Sequence, residues 1–184
     1  GGAAKLAFTT QPSASTVAGS AFATQPVGTV QDANGNTGTG STASVTLTLS
    51  TGTGTLGGTV TMNAVAGVAD FAGKGLNINL AGTNKVLTAT SGVLTTATTS
   101  PAFTIIASTA TTITINAGNG QTTTAGWDVP TDPSVLVTDA YGNPKAGVQV
   151  TFAVVSGGGS VLPLTANPPG GIGRGTATSL TLVT

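Results

Sequence analysis

The 184-residue chain contains no cysteine, no histidine and no glutamate, and charged residues make up only 5% of it. Each absence excludes chemistry. Without His or Cys there is no Ser-His-Asp triad, no Cys-His pair, and no zinc site built on imidazole or thiolate. The acids are Asp32, Asp70, Asp128, Asp132 and Asp139, and the bases are Lys5, Lys74, Lys85, Lys145 and Arg174, so the net charge is zero. A polyanion partner needs clustered Lys and Arg to displace counterions, so no nucleic acid is expected as a partner. A basic stripe for a membrane surface is missing too. The longest apolar runs are strand-length, well under the roughly 20 residues that span a bilayer, and no membrane insertion is expected.

What is present points to strands. Threonine supplies about a fifth of the residues, glycine 28 of them, and hydrophobic residues 39%. Mean hydropathy is +0.33, opposite to the composition of a disordered chain. Helix-forming charged residues are almost absent, whereas Thr and Val suit a pleated, half-buried surface and Gly, Asn, Asp and Pro suit the turns between strands. The expected class is all-β.

An internal repeat organises the sequence. Val30-Gln-Asp-Ala-Asn-Gly-Asn36 recurs as Val137-Thr-Asp-Ala-Tyr-Gly-Asn143, so that Asp32 and Asp139 lie 107 positions apart, as do Pro26 and Pro133. Val45-Thr-Leu-Thr-Leu49 matches Val150-Thr-Phe-Ala-Val154 after a two-residue slip. The period is close to the roughly 100 residues of an immunoglobulin-like (Ig-like) sandwich. Two tandem antiparallel β-sandwiches are expected, over 1–107 and 108–184. In the first, apolar residues alternate with polar ones at Leu6/Phe8, Val45/Leu47/Leu49, Val60/Met62, Leu76/Ile78/Leu80, Leu87/Ala89 and Phe103/Ile105. Period two with one face buried predicts about seven strands, near 5–10, 22–32, 43–50, 58–65, 67–80, 84–91 and 97–106. The second copy repeats the pattern through Ile113/Ile115, Val135/Val137, Val148/Val150/Phe152/Val154 and Leu180/Leu182. If Leu180–Val183 corresponds to Leu76–Asn79, this second sandwich lacks its last two strands as written, and another segment or subunit is expected to cover the open edge.

Candidate sites are few. Asp32, Asn34 and Asn36 echo the start of a calcium loop, but the downstream bidentate acid is missing and Tyr141 replaces the middle ligand in the second copy, so both motifs are read as tight turns. Asp128 and Asp132, four apart in a Pro-stiffened segment, are the candidate metal ligands, with calcium the cation they would suit; two solvated loop acids are the simpler reading, and no cofactor is expected. Trp127, the only tryptophan, either stacks on a sugar ring or plugs the end of a sandwich or a domain junction, and Tyr141 at a turn tip carries a similar ambiguity. A glycosidase would need two facing carboxylates; the obvious pair, Asp32 and Asp139, sits at equivalent positions of two repeats and reads as architecture. The glycine runs 157–159 and 170–175 lack the Lys-Ser/Thr of a phosphate loop and read as flexible turns. A lysine–asparagine crosslink would need a buried lysine beside an acid, for which Lys5 or Lys85 with Asp70 are available. No Asn-x-Ser/Thr sequon is present, though outward Ser and Thr could carry O-linked sugars.

The stretch from Pro133 through Val137-Thr-Asp-Ala-Tyr-Gly-Asn-Pro-Lys-Ala-Gly-Val-Gln-Val-Thr-Phe152 to Ser160 resembles the bacterial Ig-like domains of the invasin and intimin type. The first copy resembles related repeats of large bacterial surface proteins, in Leu6-Ala-Phe-Thr-Thr-Gln-Pro12, Val30–Asn36, Gly67-Val-Ala-Asp-Phe71 and Leu87-Thr-Ala-Thr-Ser-Gly92. The resemblance implies an extracellular or cell-surface adhesin, stalk or fibre built of tandem modules, with no shared catalytic residues. The partners it implies are identical subunits or adjacent repeats, with a surface glycan or receptor as the alternative. Two departures stand out. Lys74-Gly75 reads as an insertion forming a bulge, and the second copy lacks a terminal strand pair, which strand donation by a neighbouring chain would supply.

Overall fold

The computed structural model describes residues 1–161 and 179–184, and among them the fold is all-β. The glycine run at 170–175 lies outside the described residues. No helix among those described is long and apolar enough to cross a membrane. The chain divides into two compact units. The first comprises Gly1–Thr109 with Asp139–Asn143, and the second comprises Ala110–Thr138 with Pro144–Thr184.

In the first unit, β1 (Lys5–Thr10), β3 (Val27–Gln31) and β7 (Val68–Asp70) form an antiparallel sheet in the order β1-β3-β7. The larger sheet runs β2 (Ser15–Val17), β11 (Phe103–Ile106), β9 (Gly82–Thr90), β4 (Ser44–Thr51) and β6 (Thr61–Asn63), with β10 (Ala97–Thr98) also on β9. A short pair, β5 (Leu56–Gly57) with β8 (Asn77–Ile78), completes the unit. The alternation in β4 shows why the sheets pack. Val45 and Leu47 face inward and are fully buried, while Thr46 faces out and its hydroxyl meets that of Thr61 on β6 at 2.9 Å. In register with Leu47 and Leu49 on β9 are Ala89 and Leu87. Leu6 and Val30 of the smaller sheet join this cluster with Phe71, Leu76, Ile78, Phe103 and Ile105, so both sheets close on one core in a β-sandwich. Phe22 and Phe103 meet edge to face within it, their ring centroids 5.4 Å apart.

The strands depart from the periodicity reading in definite places. The segment 22–32 is strand only over β3, because Pro26 offers no N–H and the Gln25 side chain bonds instead to the carbonyls of Phe22 and Leu76 and the amide of Leu76. The run 67–80 breaks into β7 and β8. Lys74 N donates to Phe71 O at 3.0 Å, and Gly73 and Gly75 adopt φ of 69° and 68°, so the expected bulge is a turn. β2 has no alternation to announce it and pairs in parallel with β11, each residue with a partner 89 positions away.

The second unit has two two-stranded sheets, β12 (Ala110–Ala117) with β13 (Ser134–Asp139), and β14 (Gln149–Ala153) with β15 (Ser179–Val183). Val137 and Val150 are its buried apolar residues among those described. Ile113 and Ile115, expected to face a core, are 56% and 64% exposed, and Leu182 is exposed as well. The period-two face exists on β12, but no described sheet lies over it. A groove lined by Thr111, Ile113, Val137, Val148 and Val150 runs beside that face.

Candidate functional site

The most ordered polar feature is a pair of turns with the same wiring. In each, the Asp main chain and the Asn four residues on close a loop: Asp32 N donates to Asn36 O at 2.9 Å, and Asp139 N to Asn143 O at 3.0 Å. Asp32 Oδ1 accepts from the amides of Asn34 and Asn36, both at 2.9 Å, and Asp139 Oδ1 accepts from Tyr141 and Asn143, again both at 2.9 Å. The glycine at the fourth position, Gly35 or Gly142, adopts φ of 89° or 81°, a conformation that favours glycine. Bridges Gln31↔Thr37 and Thr138↔Pro144 flank the turns at the same offset. The tight-turn reading of both motifs therefore holds in every bond.

The second oxygen of each carboxylate is engaged as well. Asp32 Oδ2 accepts from Asn36 Nδ2 at 3.1 Å and lies 3.3 Å from the Gly1 ammonium. Asp139 Oδ2 accepts from Asn143 Nδ2 at 2.9 Å and from Ser108 N at 2.8 Å. A carboxylate surrounded by N–H donors has no lone pair directed toward a calcium ion. The electrostatics follow. Hydrogen bonds from the Asn36 side chain and amide, reinforced by the Gly1 ammonium and the Asn34 amide, outweigh burial and hold Asp32 at about 2, below its ordinary 3.8. Burial alone would raise Asp139, but the Asn143 side chain and the amides of Ser108, Asn143 and Tyr141 overcome it and hold the carboxyl well below the ordinary range.

The sign of the pH dependence is fixed by these directions. Both carboxyls are harder to protonate folded than unfolded, so their contribution is fully present above the unfolded value near 3.8 and is lost as pH falls through the folded values. The urea midpoint of the first unit is expected to be flat above about pH 5 and to fall steadily from about pH 4 toward pH 2. Substituting Asn at both positions should flatten that slope. An unchanged midpoint between pH 6 and pH 2.5 in the unsubstituted chain would contradict the assignment.

Asp139–Asn143 is part of the first unit, and its seat there is specific. Asn143, 4% exposed, accepts from Ala81 N through Oδ1 at 2.8 Å and donates through Nδ2 to Asn79 O at 2.9 Å. Tyr141 is half-exposed, and its hydroxyl end lies over Gly19, whose φ of 76° and missing side chain leave the space. Sequence reading missed Ser108, Asn79, Ala81 and Gly19 as partners of this turn. The recurrence of Asn36 at Asn143 was the available signal, but the partners of Asn143 lie more than 60 positions away.

The remaining candidates are spread apart. Trp127 sits on the long connection from β12 to β13 and is 75% exposed, so it does not plug a sandwich end. The loop is pinned by Gln121, which donates to Gly118 O and Thr131 O and accepts from Thr131 N, and by Thr123, which donates to Asp128 O. Asp128 and Asp132 are exposed on the same loop, and no group of three metal-ligating side chains forms among the described residues. Lys85 is buried, which pushes its ammonium below the ordinary lysine range, and it donates to Thr53 O at 2.5 Å. Asp70 is exposed and accepts from Ala72 N, and no ion pair joins it to Lys85 or Lys5 among the described residues.

A scan against protein-family models finds no match, and neither does a search of curated proteins. Among solved structures, domains 4–9 of the surface layer protein SbsC are similar to this chain at 16% identity with a TM-score of 0.38, over 88% of this chain. The chain spans 24% of the length of that structure.

Proposed function

We propose that the chain is a structural repeat segment of an extracellular bacterial fibre, stalk or adhesin, in which Ig-like modules act as spacers and assembly units. The observation that carries this reading is the recurrence, 107 positions apart, of a turn in which the Asp Oδ1 accepts the same two backbone amides and the Asn side chain donates to the Asp Oδ2. A binding or catalytic loop has no reason to recur with its carboxylate oxygens both consumed by the turn itself, whereas a module boundary does. The resemblance to invasin- and intimin-type repeats supports the cell-surface setting and a role without catalysis.

The second unit supports assembly by strand donation. Its β12 face presents Ile113 and Ile115 beside the groove lined by Val137, Val148 and Val150, the surface that an added strand from a neighbouring chain would cover. Sedimentation equilibrium is expected to show concentration-dependent self-association, and Ile113→Lys with Ile115→Lys should abolish it while leaving the melting of the first unit unchanged. A chain that stays monomeric up to about 100 μM, well above ordinary interface affinities, would rule out strand donation between copies.

A second reading is favoured by one feature. Trp127 is exposed at the tip of a loop held by Gln121, an arrangement suited to stacking on a sugar ring, with Tyr141 as a further aromatic candidate. Glycan binding that Trp127→Ala abolishes would favour a carbohydrate- or receptor-binding module over a spacer.

A further inference from the structure

The two turns are alike inside and differ outside. Asn143 is buried, with both ends of its amide spent on the Asn79–Ala81 loop as well as on Asp139. Asn36 is exposed; among the described residues its Nδ2 bonds only to Asp32, and its Oδ1 accepts no hydrogen bond. The backbone donor to the carboxylate also has its counterpart. Ser108 N reaches Asp139 Oδ2, Gly1 N reaches Asp32 Oδ2, and Gly1 and Ser108 are 107 positions apart, as the two aspartates are. Beside the first turn lies a shallow concavity lined by Gly1, Ala3, Thr37, Gly38 and Ser41, with no charged side chain in it. Such a surface offers one open carbonyl and one shareable amide, the complement of a peptide loop with a free N–H and a free C=O. It does not suit a cation, because both Asp32 oxygens are already held by N–H donors.

We propose that the Asp32–Asn36 turn, together with Gly1, is a docking surface for the Asn79–Ala81 loop of another module of this kind, with Asn36 making there the bonds that Asn143 makes inside the first unit. This rests on the reading of the chain as repeated modules. The occupant is identified by the chain itself, since the same loop fills the equivalent surface of the second turn.

The test is a tandem chain in which a copy of residues 1–107 precedes Gly1 of the full chain, so that Gly1 follows Ala107 as Ser108 does. Amide exchange by NMR, with the two copies labelled separately, reads Ala81 twice. The Ala81 of the original copy, bonded to Asn143, is the internal reference. The leading copy's Ala81 is expected to exchange within about threefold of that reference, and Asn36→Ala should speed it at least about tenfold while leaving the reference unchanged. A leading Ala81 that exchanges at least about tenfold faster than the reference in the unsubstituted tandem overturns the docking proposal and leaves the repeat reading standing. If the reference itself is unprotected, the seating of the second turn is absent in solution and the docking proposal falls, while the recurrence of the turn, and the repeat reading with it, is untouched.

Discussion

Replacing Asp139 with alanine is expected to cost the first unit about 3–5 kcal/mol, the range reached when a buried hydrogen-bond network is broken. The carboxylate is 2% exposed and accepts four bonds, from the amides of Ser108, Tyr141 and Asn143 and from the Asn143 side chain, all between 2.8 and 2.9 Å. Alanine removes every acceptor at once and leaves three backbone N–H groups at a site where water enters poorly. Each orphaned buried donor costs about 1–3 kcal/mol, and partial relaxation of the turn keeps the total below the simple sum. Asp139→Asn should fall between, because one oxygen survives while the other becomes a donor facing donors. Asp32→Ala should cost less, since Asn36 is exposed and water can replace the lost acceptor there. Urea unfolding of the three variants checks the ranking. A loss below about 1 kcal/mol for Asp139→Ala, or equal losses at the two aspartates, would show that burial does not distinguish the turns.

The turn was legible from the sequence and its seat was not. Asp-x-x-Gly-Asn names a loop with an Asp that can bond forward and a Gly that can take positive φ, and all of that lies within five residues. The bonds of Asn143 to Asn79 and Ala81 depend on neighbours brought close by folding, and no local pattern encodes them. The same contrast runs through the strands. Val45/Leu47, Leu87/Ala89 and Phe103/Ile105 alternate because each strand has one wet face, so their inward sets could be read directly, and all six are buried. β2 escaped because Ser15–Val17 is too short to show a period and is held by a parallel partner far along the chain. Ile113 and Ile115 carry the same alternation and lie exposed, since periodicity marks which face is apolar without supplying the surface that covers it. Trp127 illustrates the limit for single residues: its type suits a core and a binding loop equally, and its exposure on the folded loop is encoded by no local pattern.

Phe71→Ala is expected to cost about 3–5 kcal/mol and to reveal which residues unfold with the first core. Phe71 follows β7, is fully buried, and is the largest completely enclosed side chain among the described residues. Its backbone is held on both sides, by the Phe71 amide on Pro26 O at 3.3 Å and by Lys74 N on Phe71 O at 3.0 Å, so the walls cannot readily collapse into the space left by the ring. Transfer and cavity terms therefore add, and the result belongs at the upper part of that range. The informative measurement is native-state amide exchange across the chain. The Asp139–Asn143 turn is part of the first unit although its nearest sequence neighbours are not, and Asn143 spends its side chain on Asn79 and Ala81. Its amides should consequently lose protection together with those of β4 and β9 in the Phe71→Ala chain, each by the same free energy, as members of one cooperative unit. Amides of β14 should keep their own protection. If Tyr141 and Asn143 instead retain full protection while β4 and β9 lose theirs, the turn is stabilised by its own hydrogen bonds alone, and its membership of the first unit carries no energetic weight.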